Sequence, residues 1–147
     1  MTDPDDTPER PAVAPFLGAL VIIVAVVIGI WLINVFSAES LTDEQLIARA
    51  VSGQNDALQR DDYADFQAFT CAEQQGDESK VLSTQRDSVQ KRGNRVVDRV
   101  AGVVIDGDRA SADITYYFDN DPDAKDTVEM TFSREDGAWK VCSTGPS

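Results

Sequence analysis

A chain of 147 residues with 26 acidic and 13 basic side chains carries a formal net charge of −13. That balance excludes nucleic acid as a partner and excludes electrostatic docking onto anionic lipid, since both need a basic surface. Histidine is absent, which removes the commonest general base and metal ligand, and Cys71 and Cys142 are the two cysteines.

Residues 1–11 are acidic and proline-rich with nothing to bury, and are expected to form a disordered cytoplasmic tail. Residues 12–38 then carry no charge. Phe16 to Phe36 is 21 residues, about 31 Å at helical rise and close to the hydrocarbon thickness of a bilayer. The stretch predicts one transmembrane helix whose partner is the lipid bilayer. A cleaved signal peptide fits poorly: the leader is acidic, the apolar run is long, and Phe36-Ser37-Ala38 puts a bulky residue where a small one is preferred. Arg10 and the amino terminus before the span, against Arg49 after it, favour a cytoplasmic N-terminus and an extracytoplasmic C-terminal domain in the cell membrane.

Residues 39–147 hold 22 acidic and 12 basic side chains, a net of −10, in a length suited to a single core. Thr42-Asp43-Glu44-Gln45 reads as a capping box. Leu46, Ile47, Ala50, Val51, Ala57 and Leu58 then keep to one helical face, with Gly53 weakening the middle. Asp61-Asp62 caps a short helix whose aromatic stripe is Tyr63, Phe66 and Phe69. After Gln74-Gln75-Gly76-Asp77, a third helix turns Val81, Leu82, Gln85 and Val89 inward and ends at Lys91-Arg92-Gly93.

From Arg95 the period becomes two. Arg95–Ile105 is a strand offering either Asp98 or Arg99 inward. Asp106-Gly107-Asp108 turns the chain. In Arg109–Asp119, Ala110, Ala112, Ile114, Tyr116 and Phe118 share one face. Asn120–Asp126 reads as a polar loop. Thr127–Glu135 turns Val128, Met130 and Phe132 inward, Asp136-Gly137 is a hairpin signal, and Ala138–Ser143 places Trp139 and Val141 together. One apolar face per strand implies an antiparallel sheet covered on one side. The class is α+β, three helices packed on a four-stranded antiparallel sheet.

In a reducing compartment Cys71 and Cys142 are two buried thiols; in an extracytoplasmic domain they are a pair. Parity sets Cys142 opposite to Trp139 and Val141, so a bulge, a strand end or a curved sheet must bring it to Cys71. Asp119-Asn120-Asp121-Pro122-Asp123 lacks the glycine and bidentate glutamate of a calcium loop, so no metal site is assigned. Lys91, Arg92, Arg95 and Arg99 form a basic cluster explained mostly by a helix end and a strand start.

Asp61-Asp62-Tyr63-Ala64-Asp65-Phe66, Val104-Ile105-Asp106-Gly107-Asp108-Arg109-Ala110 and the ending Asp136-Gly137-Ala138-Trp139-Lys140-Val141-Cys142 carry a resemblance. The pattern resembles the nuclear-transport-factor-2-like (cystatin-like) superfamily. It is similar to actinobacterial single-pass proteins with such a domain outside the membrane, as in the low-molecular-weight antigen and mammalian-cell-entry-associated membrane protein families. The resemblance implies a cone-shaped fold with a candidate pocket between sheet and helices, for which Tyr63, Phe66, Tyr116, Phe118 and Trp139 are the candidate lining. It brings no catalytic signature and no cofactor. The expectation is a membrane-anchored, non-enzymatic binding or accessory domain that engages a membrane protein partner or a small apolar ligand. The alternative is a pocket enzyme of the ketosteroid-isomerase-like type around Tyr116, and a third reading is a structural component whose oligomerisation is set by the span. The sequence assigns no oligomeric state.

Overall fold

The computed structural model of the chain describes residues 14–36 and 40–143. The chain divides into two units between Ser40 and Leu41. The first holds one helix, α1 (Ala14–Phe36), 23 residues without a charge. Its side chains are described over residues 18–32, a length of about 22 Å, and among the described residues no helix is long and apolar enough to cross a membrane. The expected crossing over residues 12–38 therefore extends past the described residues at both ends, and the acidic tail 1–11 lies outside them.

The second unit is α+β. Its helices are α2 (Asp43–Gln59), α3 (Tyr63–Phe69) and α4 (Glu78–Arg92), with a turn of 3₁₀ helix at Ala72–Gln74. Its strands are β1 (Arg95–Asp106), β2 (Arg109–Phe118), β3 (Asp121–Glu135) and β4 (Ala138–Val141), joined as an antiparallel meander in the order β1-β2-β3-β4.

Each helix starts where its cap places it. Thr42 and Gln45 form the reciprocal capping box on α2, while Asp62 and Asp77 accept from backbone N–H groups of α3 and α4. α4 ends at Gly93, whose φ of 84° falls in the left-handed region that glycine adopts without strain. The Asp136-Gly137 turn has positive φ at both residues, as a two-residue hairpin with right-twisted strands requires.

Two cores follow from these elements. The main one seats Ile47, Ala50 and Val51 of α2 on the inner face of β2, β3 and β4, with Tyr116, Phe132, Ile114, Met130 and Val141 all under 3 % exposed. Burial of each such side chain contributes about 1.5–3 kcal/mol. A smaller one joins Ala57 and Leu58 to Phe66, with Tyr63 and Val81 against it. Leu82 is buried as expected, and so is Ser88, which the apolar pattern of α4 did not mark.

Two local expectations are corrected. Neither Asp98 nor Arg99 faces inward. Bulges at Val97/Arg99 and Ala101/Val104 shift the pairing of β1 with β2, so Val97, Val100 and Val103 reach the core at every third residue. Asp98 instead pairs with Lys125 at 2.9 Å. The stretch Asn120–Asp126 is not a loop: β3 begins at Asp121, opposite Phe118. This arm is exposed throughout to Thr127, so it shows no alternation to read, and it is held by pairing and by a Thr115–Thr127 hydroxyl bond of 2.9 Å.

Cys71 and Cys142 form the expected pair, a disulfide with Cα atoms 5.0 Å apart, and of the routes open to Cys142 it is the strand end that applies. Thr70 pairs in parallel with Val141, and the Cys71 N–H donates to the Val141 carbonyl at 2.9 Å. The segment after α3 thus lies beside β4, and Cys142, just past the strand end, meets a neighbour in the sheet plane. Closing a loop of this length contributes about 4 kcal/mol by chain entropy.

Two outcomes test this packing. A Cβ on Gly53 would sit 2.6 Å from the Phe69 ring. Gly53→Ala should therefore fail to stabilise the domain, whereas in a Phe69→Ala background the same change should gain about 1 kcal/mol of helix propensity, read by denaturant midpoints. Separately, the Asp43 carboxylate accepts from the Trp139 indole N–H and from Arg134, each at 2.9 Å, and the indole bond foremost holds its pKa below the ordinary value. Its contribution is present above the unfolded-state pKa and is lost as pH falls through the folded one. Wild type should lose more thermal stability than Asp43→Asn between pH 5 and 3.

Candidate functional site

A cleft of about 420 Å³ lies between the C-terminal half of α2, α3, α4 and the start of β1. Its floor is Leu58, Phe66 and Val81, the residues of the smaller core. It exists because α4 offers that core little apolar surface beyond Val81, so the groove above Phe66 is left partly uncovered.

Buried polar groups edge this floor. Gln54 is 6 % exposed and its amide donates to the Thr70 hydroxyl at 2.9 Å, which in turn donates to the Phe66 carbonyl at 2.7 Å. Arg95 is 8 % exposed, and its Nε donates to the Asn55 amide oxygen at 2.8 Å. Its guanidinium lies 5.1 Å from the Tyr116 ring centre, a cation–π contact. Burial pulls the Arg95 pKa down, partly opposed by Tyr116. Lys80 and Asp77 stand at the rim, where Asp77 is engaged as the cap of α4.

The five aromatic residues expected to share a pocket are distributed over the domain. Phe66 lines the cleft. Tyr63 stacks on it at 5.8 Å and donates its hydroxyl to the Gly76 carbonyl at 2.6 Å, fixing the loop before α4. Tyr116 is 2 % exposed and its hydroxyl donates to the Met130 sulfur at 2.9 Å. Phe118 is buried beneath the Arg92 guanidinium, 3.7 Å from the ring centre. Trp139 lies beside Asp43, with Arg134 over its ring at 4.7 Å. Tyr116 thus sits in the main core, with a thioether and a guanidinium as its polar neighbours. Burial raises its pKa, an effect the Arg95 charge partly reverses.

Gln54 and Thr70 were not marked by sequence, and Arg95 was marked only as one of the basic cluster Lys91, Arg92, Arg95 and Arg99. Gln54 carried a signal: it falls between Val51 and Leu58 on the apolar face of α2, where a polar residue needs a buried partner. The burial of Arg95 carried none, because a cation in a cluster at a helix end and strand start is ordinarily solvated. A second cleft, about 430 Å³, runs along the disulfide between Glu73, Arg109 and Glu135. Among the described residues no three acidic or cysteine side chains are grouped to hold a metal.

No family model matches the chain, and no curated protein does. Among solved structures, a candidate NTF2-like transpeptidase from Campylobacter jejuni is similar over 66 % of this chain and 98 % of its own, at 13 % identity and a TM-score of 0.48. A candidate dehydratase of the NTF2-like family from Streptomyces avermitilis is similar over 67 % of this chain and 90 % of its own, at 14 % identity and 0.47. An NTF2-like protein of unknown function from Shewanella oneidensis is similar over 65 % and 91 %, at 12 % identity and 0.41. With TM-scores below 0.5, these likenesses carry no argument about family or activity.

Burial of Tyr116 generates one expectation. Because its pKa is raised on folding, its contribution to stability is complete below the unfolded-state value of about 10 and is lost as pH rises through the folded value. Tyr116→Phe should remove an absorbance component at 295 nm that titrates above pH 10, and should lessen the loss of thermal stability there.

Proposed function

We propose that this chain is a single-pass membrane protein whose C-terminal domain, of the nuclear-transport-factor-2-like (cystatin-like) kind, lies outside the cytoplasm and acts as a binding or accessory domain, not an enzyme. The observation that carries the reading is the Cys71–Cys142 bridge in a domain that follows α1 by a short link. A disulfide persists in an oxidising compartment, and an uncharged stretch over residues 12–38 is what holds a domain at a membrane from that side. The non-enzymatic part is supported by the engagement of the Tyr116 hydroxyl with Met130, which leaves that phenol no carboxylate to work with. The cleft floored by Leu58, Phe66 and Val81 supports a small apolar ligand or an apolar side chain of a partner as what is bound.

Thiol labelling with a membrane-impermeant maleimide on intact cells tests this. Without reductant neither cysteine should label. After an impermeant reductant both should label without permeabilisation, and the full chain should stay with membranes through alkaline extraction. Two cysteines that label without reductant, and only after the cells are opened, would sink the reading.

A further inference from the structure

One buried polar atom beside the floor of Leu58, Phe66 and Val81 has no donor among the described residues. It belongs to Gln54, which stands on the buried face of α2 and is 6 % exposed. A relay fixes the orientation of its amide. The Thr70 hydroxyl gives its proton to the Phe66 carbonyl at 2.7 Å, so its oxygen can only accept from Gln54. Gln54 must therefore turn its amide N–H to Thr70, at 2.9 Å, and its Oε1 away. Among the described residues no donor reaches that Oε1. A side chain this buried ordinarily has its polar groups bonded, because an orphan acceptor is costly. Gln54 lines the cleft, so the donor can come from a molecule seated there.

The rest of the lining defines that molecule. Leu58, Phe66 and Val81 call for an apolar body. To these α4 adds Thr84 and Gln85, both uncharged. The two charges at the rim offset each other: the Asp77 carboxylate accepts from the Lys80 backbone N–H and feels its ammonium. Arg95 is engaged with Asn55 and with the Tyr116 ring, and a domain of net charge −10 repels anions. A volume of about 420 Å³ falls at the lower end of small-molecule sites, about 300–1,000 Å³.

We infer that this cleft selects a small uncharged molecule with an apolar body and one hydroxyl or N–H group, and that Gln54 is the specificity-determining residue, its Oε1 accepting the hydrogen bond from that group. The inference rests on the binding role proposed above and adds the chemistry of the ligand; it does not depend on where the domain lies in the cell.

Three probes that share one ring system test it on the full chain in phosphatidylcholine nanodiscs: naphthalenemethanol, its methyl ether and naphthaleneacetic acid. Binding is read from ring-current shifts of the Leu58 and Val81 methyl signals by NMR, with partition of each probe into lipid measured on empty nanodiscs. The ether accepts hydrogen bonds as the alcohol does, so comparing them isolates donation. The alcohol should bind wild type about ten-fold more tightly than the ether, and the acid no better than the ether. Gln54→Met keeps the length of the side chain without the amide. It should lower the alcohol to the affinity of the ether and leave the ether unchanged. Gln54→Leu makes the same test if the methionine does not pack, and the wild-type comparison needs no variant. An ether that binds as tightly as the alcohol overturns the inference while the apolar-ligand reading stands. An acid that binds tightest overturns it in favour of Arg95 and Lys80 holding an anion. Methyl signals unmoved by all three probes overturn the binding role of the cleft together with the inference.

Discussion

The apolar stripe of α2 closes two cores with one helix. Ile47, Ala50 and Val51 seal the inner face of β2 to β4; Ala57 and Leu58, two turns further on, close over α3. Between them the stripe is broken by Gln54, a buried amide that would cost about 1–3 kcal/mol if left unpaired. Thr70 supplies the partner, and Thr70 is also the residue that pairs with Val141 of β4. One polar contact therefore ties the helix joining both cores to the sheet edge, and the disulfide beside it locks that edge in place.

The same arrangement explains why the domain is open where it is. The sheet's inner face is filled by its own aromatic and aliphatic side chains, so Tyr116 is buried among them and its hydroxyl finds a sulfur rather than solvent. The smaller core has no such surplus. Its cover comes from α4, a helix with few apolar residues, and the uncovered remainder becomes the cleft above Phe66. Arg95 links the two regions: its side chain borders the cleft, and its guanidinium lies over the Tyr116 ring.

Charge is distributed with similar economy. Arg60 joins Asp56, Asp62 and Asp65 at the corner between α2 and α3, and Arg134 serves Asp43 and Asp108 at the opposite end of α2. Exposed pairs of this kind contribute about 0–1 kcal/mol each. Their consequence is geometric: Arg60 and Arg134 each hold more than one carboxylate at a specific corner of a domain with net charge −10.

Sequence alone determined what nearest neighbours control. The capping box at Thr42, the caps at Asp62 and Asp77, the Gly93 stop, the Asp136-Gly137 turn and the in-out alternation of β2 all read correctly, because each depends on contacts within a few residues. The pairing of Cys71 with Cys142 was also legible, as a choice set by compartment. Tertiary structure decided the rest. Two bulges rephased β1, an exposed arm without alternation proved to be strand, and Cys142 met Cys71 in the sheet plane because Thr70 lies alongside Val141. The cleft was invisible for a related reason: it is surface left uncovered after all elements have packed, and no local spacing encodes what fails to be covered.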